Sequence, residues 1–237
     1  MEHWLYLLIN AGAISIPFIA TFDRRLRFDK QWRFLFPAML LTMMVFIPWD
    51  MLKTSLQVWG FNSRYLTGVY LGNLPVEEWL FFIAIPYACL FTYHALNYLI
   101  ARDFLGKHAF LISIVFGAGF LIVGIFNLDR LYTSVTFLSS GIFLLIHGII
   151  IKASYLGRFF VMYFVTLIPF FIVNGLLTGS WIPEEVVYYD DTQNLGIRIG
   201  TIPVEDAVYG MLMLLMNVSW YEFLRKRFGS GRASDAR

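Results

Sequence analysis

The chain has 237 residues, of which 59% are hydrophobic, 19% aromatic and only 14% charged, with a formal net charge of +2. Uncharged runs of about 16 to 20 residues recur along its whole length, enough to cross a hydrocarbon core of roughly 30 Å, so the composition excludes a soluble fold. A single cysteine, Cys89, excludes an internal disulfide and a cysteine metal site.

The first span is expected at about residues 4–21. No basic stretch precedes it and no small-residue cleavage site follows it, so it reads as a retained helix rather than a signal peptide. Further spans are expected at about 34–50, 76–100, 109–127, 131–151, 159–178 and 204–224, and residues 227–237 read as a disordered tail. With the spans alternating across the bilayer, 14 of the 18 Lys and Arg residues fall on one side, and only Lys53, Arg64, Arg130 and Arg198 on the other. The positive-inside rule then places the N-terminus outside and the C-terminus in the cytoplasm; the expected location is the cell (inner) membrane of a bacterium. Trp4, Trp49, Trp59, Trp79, Trp181 and Trp220 lie near predicted helix ends, where an interfacial belt is the ordinary reading.

The segment Gly68-Val69-Tyr70-Leu71-Gly72-Asn73-Leu74-Pro75-Val76-Glu77-Glu78 opens the third span, and 128 residues later Gly196-Ile197-Arg198-Ile199-Gly200-Thr201-Ile202-Pro203-Val204-Glu205-Asp206 opens the seventh. The ends of the second and sixth spans also correspond, with Asp50 and Asn174 each four residues before a threonine. Spans one to three thus match spans five to seven, and the lone fourth span lets both halves enter the membrane from the same side. The expected architecture is all-α: two parallel three-helix repeats, residues 1–105 and 129–226, joined by a linker helix in 106–128. A pseudo-twofold axis along the membrane normal would bring the two motifs to equivalent places, both on the outer face.

Proline in a first helical turn followed by acids is a good helix start, because the proline needs no N–H donor there and carboxylates complement the positive end of the helix dipole. That accounts for one copy; two copies sharing glycines, proline and acids favour chemistry. The candidates are Glu77 and Glu205, identical in both copies, with Glu78 and Asp206 tuning them. Asp50 follows as a base or as the helix-end ion-pair partner of Lys53. Trp79, Phe81, Phe82 and Tyr209 follow the motifs closely, and Asn174 holds the position of Asp50 without charge. His94 and Glu222 read as ordinary interfacial residues, and His147 as a packing residue. Glu184, Glu185, Asp190 and Asp191 make an acidic, solvated loop.

The paired Pro-Val-Glu-Glu and Pro-Val-Glu-Asp helix starts, the Phe46-Ile47-Pro48-Trp49-Asp50 segment, the three-span repeat and the compact length resemble the small membrane lycopene cyclases in which two related subunits are fused in one chain. The resemblance spans residues 1 to about 226. It implies conversion of the acyclic ends of lycopene, and then of γ-carotene, into β-rings, with both substrates drawn from the bilayer. It also implies a non-redox isomerisation: a proton is delivered to a terminal alkene, the carbocation closes on a neighbouring double bond, and a proton is lost. Such a reaction needs a neutral carboxylic acid and a base, and burial beside a second carboxylate favours the neutral form. Ring faces of Trp79, Phe82 and Tyr209 would stabilise the cation by about 2 kcal/mol each when desolvated.

No Gly-x-Gly-x-x-Gly follows a strand, so no dinucleotide cofactor is expected, and no metal either. The expected partners are the carotenoid and membrane lipid, not nucleic acid, with homo-oligomerisation or association with other carotenoid enzymes compatible with the reading. Alternatives remain open. A carotenoid end-group hydratase would quench the same cation with water. A transporter, or a non-enzymatic carotenoid- or retinoid-binding protein, would share the bundle; a retinal photoreceptor would need a mid-span lysine that residues 204–224 lack. The lone Asp190-Asp191 pair does not suit a magnesium-dependent prenyltransferase.

Overall fold

The computed structural model of the chain describes residues 2–229. Among them, seven helices are long and apolar enough to cross a membrane: α1 (Leu5–Ala20), α2 (Trp32–Ser55), α3 (Val76–Leu99), α4 (Ala109–Ile125), α5 (Leu131–Leu145), α6 (Leu156–Leu177) and α7 (Val204–Phe228). The protein is therefore an all-α, integral membrane bundle, with only short strands at one end.

Two helices outrun their hydropathic spans for a physical reason. Apolar runs stop at the first charge, whereas backbone hydrogen bonding does not. Helix α2 continues from residue 50 to Ser55 and carries Lys53 with it, and α7 runs through Arg225, Lys226 and Arg227, cations that suit the negative end of a helix dipole. The remainder of the expected tail, residues 230–237, lies outside the described residues. Helix α5 passes into a π-helical turn over Ile146–Ile150. There His147 is buried and satisfied, its ring nitrogens 2.8 Å from the Phe143 carbonyl and 3.1 Å from Ser219 Oγ.

The helices pack in matched pairs. Helix α1 lies on α3 as α5 lies on α7, and α2 crosses to α7 as α6 crosses to α3. Helix α4 covers α5 at short range: a Cβ on Gly141 would stand 2.8 Å from the Gly117 carbonyl oxygen, the small-residue contact that lets membrane helices approach.

Each motif folds as a β-hairpin leading into its helix. Strands β2 (Tyr70–Leu71) and β3 (Leu74–Pro75) turn at Gly72-Asn73, and β5 (Arg198–Ile199) and β6 (Ile202–Pro203) turn at Gly200-Thr201. Gly72 and Gly200 take φ of 69° and 65° while the residue after each stays negative, the pattern of a type II′ turn. Strands β1 (Trp59–Phe61) and β4 (Val187–Tyr189), which follow α2 and α6, pair antiparallel across the end of the bundle with Gly60 opposite Tyr188. Those two residues are separated by the same 128 positions as the motifs. Side chains alternate along a strand, so Trp59, Phe61, Val187 and Tyr189 share the face turned into the bundle, and Tyr188 is exposed.

A Cβ on Gly200 would meet no heavy atom within 4 Å, so backbone strain alone opposes a side chain there. Gly200→Ala is expected to lower stability by about 1–3 kcal/mol, read as a fall in the unfolding midpoint in detergent micelles.

Candidate active site

Glu77 and Glu78, like Glu205 and Asp206, occupy the second and third positions of their helices. Adjacent positions point about 100° apart, and the two members of each pair go to different places. Glu77 turns back onto its own hairpin loop, Oε1 accepting from the Thr67 backbone N–H at 2.7 Å. Glu205 does the same, Oε1 accepting from the Leu195 N–H at 2.8 Å and from Thr133 Oγ1 at 2.6 Å. Both are fully enclosed and neither touches the cavity described next.

A cavity of about 160 Å³ runs between α1, α3, α6 and α7 beneath the β1–β4 roof. Asp50, Glu78 and Asp206 line it at the roof end; Cys89, Thr166, Met213 and Leu214 line the deeper end. From Glu78 to Cys89 along α3 is about 16 Å at 1.5 Å per residue. Half-buried Ala13 of α1 and exposed Pro169 of α6 sit on its wall, so the cavity meets the outside laterally, between those two helices. Most of the lining is apolar, including Phe81, Ile85, Phe170 and Val173. An apolar cavity on the order of 150 Å³ admits a ring the size of benzene.

Each carboxyl in the cavity is met by tyrosine hydroxyls. Tyr6 donates to Glu78 Oε2 at 2.5 Å and Tyr209 to Asp50 Oδ1 at 2.7 Å. Asp206 accepts from Tyr132 at 2.6 Å and from Tyr189 at 2.9 Å, with Asn174 Nδ2 at 3.4 Å. Tyr189 lies in the loop outside the spans, where burial and then the Asp206 charge push its hydroxyl well above the ordinary range, so it serves as a donor. Among the described residues no group of three His, Cys, Asp or Glu is placed to hold a metal ion; the three carboxyls face the cavity from separate helices.

Lys53 lies behind this cluster, 2% exposed. Among the described residues its Nζ has neither a hydrogen-bond partner nor a carboxylate oxygen within 4.0 Å. It is held instead against four ring faces, those of Trp49 at 4.2 Å, Trp59 at 4.4 Å, Tyr132 at 4.5 Å and Tyr209 at 4.9 Å. Ring quadrupoles at that range replace part of the lost hydration of a cation. Asp50 and Asp206 lie within its electrostatic reach.

The expected site residues are thus divided. Asp50, Glu78, Asp206, Asn174 and Tyr209 come together around one cavity. The expectation that Glu77 and Glu205 lead each pair meets the opposite geometry, since the second acid faces the cavity and the first fastens a loop. Trp79 donates to the Leu71 carbonyl at 3.2 Å and Phe82 is packed against Phe46; neither lines the cavity, whereas Phe81 does. The ion pair expected between Asp50 and Lys53 is absent, because the lysine reaches into the ring cage and Asp50 accepts from Tyr209. Trp49 and Trp59 belong to that cage. In the acidic loop, Glu184 and Asp191 form exposed ion pairs with Arg64 and Arg198, at 3.0 and 2.6 Å. Tyr6, Tyr132 and Tyr189 were not expected. A signal for the first two is present in the chain: Leu5-Tyr6 and Leu131-Tyr132 occupy equivalent starts of α1 and α5.

A family model described as lycopene cyclase matches residues 3–96 and 129–224. The chain belongs to the lycopene cyclase family. The two matched segments are the two repeats, and the gap between them holds α4. No curated protein and no solved structure matches the chain. Membership in the lycopene cyclase family gives the protein a role in carotenoid cyclisation, and a lipophilic carotenoid suits a cavity walled by apolar helices.

Glu205→Ala would orphan the Thr133 hydroxyl and the Leu195 N–H in a buried place, and is expected to lower stability by about 2 kcal/mol or more, measured by unfolding in detergent. Lys53→Met keeps most of the side-chain volume and removes an unpaired buried charge, which is costly to hold. Its unfolding midpoint should equal or exceed that of the parent protein, while carotenoid cyclisation slows at least tenfold.

Proposed function

We propose that this chain closes the acyclic ends of lycopene into β-rings by proton transfer between carboxyl groups. The observation that carries the reading is an apolar cavity, open sideways between helices, that ends at three buried carboxyls. A linear polyene dissolved in the bilayer enters such a cavity end first.

Glu78 is the proton donor in this reading. It has the hydroxyl of Tyr6 as its partner and stands apart from Lys53, whereas Asp50 and Asp206 share the field of the ammonium. Asp206, with two tyrosine hydroxyls and an amide directed at it, is the best supplied with donors for a negative charge, which assigns it the role of base. The Glu78 proton adds to the terminal double bond of the 1,5-diene end, leaving a tertiary cation. The internal double bond attacks it, one carbon–carbon bond forms, and the charge moves to the ring. Loss of the adjacent ring proton to Asp206 leaves the ring double bond. One proton enters and one leaves, so the product is an isomer. The rings of Phe81, Trp59 and Tyr209 line the path of the cation, each able to contribute about 2 kcal/mol when desolvated. The proton must then return from Asp206 to Glu78 before the next end reacts.

The tally of basic residues supports placing the roof and hairpins outside the cytoplasm. In a Cys89→Ser background, a cysteine replacing Tyr188, exposed on the roof, is expected to react with a membrane-impermeant maleimide in intact cells. One replacing Phe104, exposed between α3 and α4, should react only after lysis.

Expression in lycopene-accumulating bacteria, followed by pigment chromatography, tests the activity. Monocyclic or bicyclic β-ring carotene is expected; a hydroxylated product would point to hydration, and unchanged lycopene with the protein present in the membrane would overturn the reading. Glu78→Gln should lower the cyclisation rate by about 10²- to 10⁴-fold without loss of membrane-inserted protein.

A further inference from the structure

The two repeats place equivalent residues on two symmetry-related walls, and the two walls have diverged in volume. In the first repeat Phe46, Trp49, Asp50 and Lys53 of α2 stand where the second has Phe170, Val173, Asn174 and Leu177 of α6. Likewise Phe81 and Phe82 of α3 correspond to Tyr209 and Gly210 of α7. On the α2–α7 side the large residues interlock. The Phe46 ring lies 5.2 Å from Tyr209 and 6.2 Å from Phe82, Trp49 lies 5.8 Å from Tyr209, and Lys53 fills the remaining gap.

On the α6–α3 side the equivalent positions Phe170, Val173, Asn174, Leu177, Phe81 and Gly210 all line the cavity. Tryptophan has given way to valine and phenylalanine to glycine. A Cβ placed on Gly210 would find its nearest heavy atom, Phe170 Cε2, 3.8 Å away, so the space beyond it is cavity rather than protein. The cavity exists because Gly210 and Val173 are small.

Both walls, moreover, bring their carboxyls to the same end of the bundle, beneath the roof. An extended polyene comparable in length to the hydrocarbon thickness of roughly 30 Å has its second end at the far side of the membrane when its first end is at the acids.

Building on the cyclase reading, we infer that the protein has one working half-site, opened by Gly210 and Val173, and one aromatic plug, so that it cyclises a single end of lycopene per binding event. The half-cyclised product leaves into the bilayer and returns reversed before a second ring can form. Gly210 and Val173 set the width available to the end group.

The test uses the full chain in liposomes containing ¹³C-lycopene. After a brief pulse, an excess of unlabelled monocyclic carotene is added and the products are separated and weighed by mass spectrometry. Either the monocyclic carotene is the end product, or the bicyclic product formed after the chase carries its label diluted by the added pool. Bicyclic product with undiluted label, formed without free monocycle, would overturn the inference while leaving the cyclase reading intact. Absence of any ring from the parent protein would overturn both. Gly210→Phe, which restores the residue found at Phe82, is expected to lower turnover more than 100-fold with an unchanged unfolding midpoint. Full activity in a folded Gly210→Phe protein would also count against it, and the isotope dilution decides the matter if that variant does not fold.

Discussion

Charge taken out of water is the constraint around which this bundle is organised. Asp50, Glu78, Asp206 and Lys53 lie among apolar helices, and an isolated ion in such a medium is strongly disfavoured unless something replaces its hydration. Tyrosine does this for the carboxyls, since its ring is content in an apolar wall while its hydroxyl donates. Ring faces do it for the ammonium. The same side chains, Tyr132 and Tyr209, serve both signs of charge, donating through the hydroxyl to an acid and offering the ring to Lys53. This dual use locks Asp50, Asp206 and the Lys53 ammonium to one another across α2, α5 and α7.

Holding those groups in place requires the loops above them to be equally firm. Glu77 and Glu205 do that work by accepting backbone N–H groups from the segment ten residues earlier. The hairpins and the helix starts are therefore fastened to each other at the end of the bundle where the cavity's carboxyls lie. Preorganisation of that kind keeps the dipoles around the cavity in place.

The bundle was legible because hydropathy and repetition are additive signals: many residues vote for each span, and eleven aligned positions for each motif. The rotation of a helix about its axis has no such redundancy. Whether Glu77 or Glu78 meets the cavity depends on a turn of 100°, and identity between the two copies favoured the acid that fastens the loop. Whether Phe81 or Phe82 lines the cavity depends on the same turn. Lys53 reads as a helix-end charge because hydropathy ends a span at the first charge, here Asp50, whereas ring faces contributed by three other segments of the chain make its burial tolerable. The contribution of Tyr189 was hidden by distance, since it reaches Asp206 only through the pairing of β4 with β1. The contrast of glycine with phenylalanine at Gly210 and Phe82 is plain in the sequence, but only the cavity beside Gly210 gives that contrast a meaning.

The sideways mouth between α1 and α6 changes what concentration means for this protein. A substrate that arrives through lipid is counted as a mole fraction of the bilayer, not as an amount per volume of water. Adding empty membrane around a fixed quantity of protein and carotenoid dilutes the encounter, although nothing in the aqueous phase has changed. With entry from the bilayer as proposed, growth of the membrane and synthesis of the polyene act on the same variable from opposite sides.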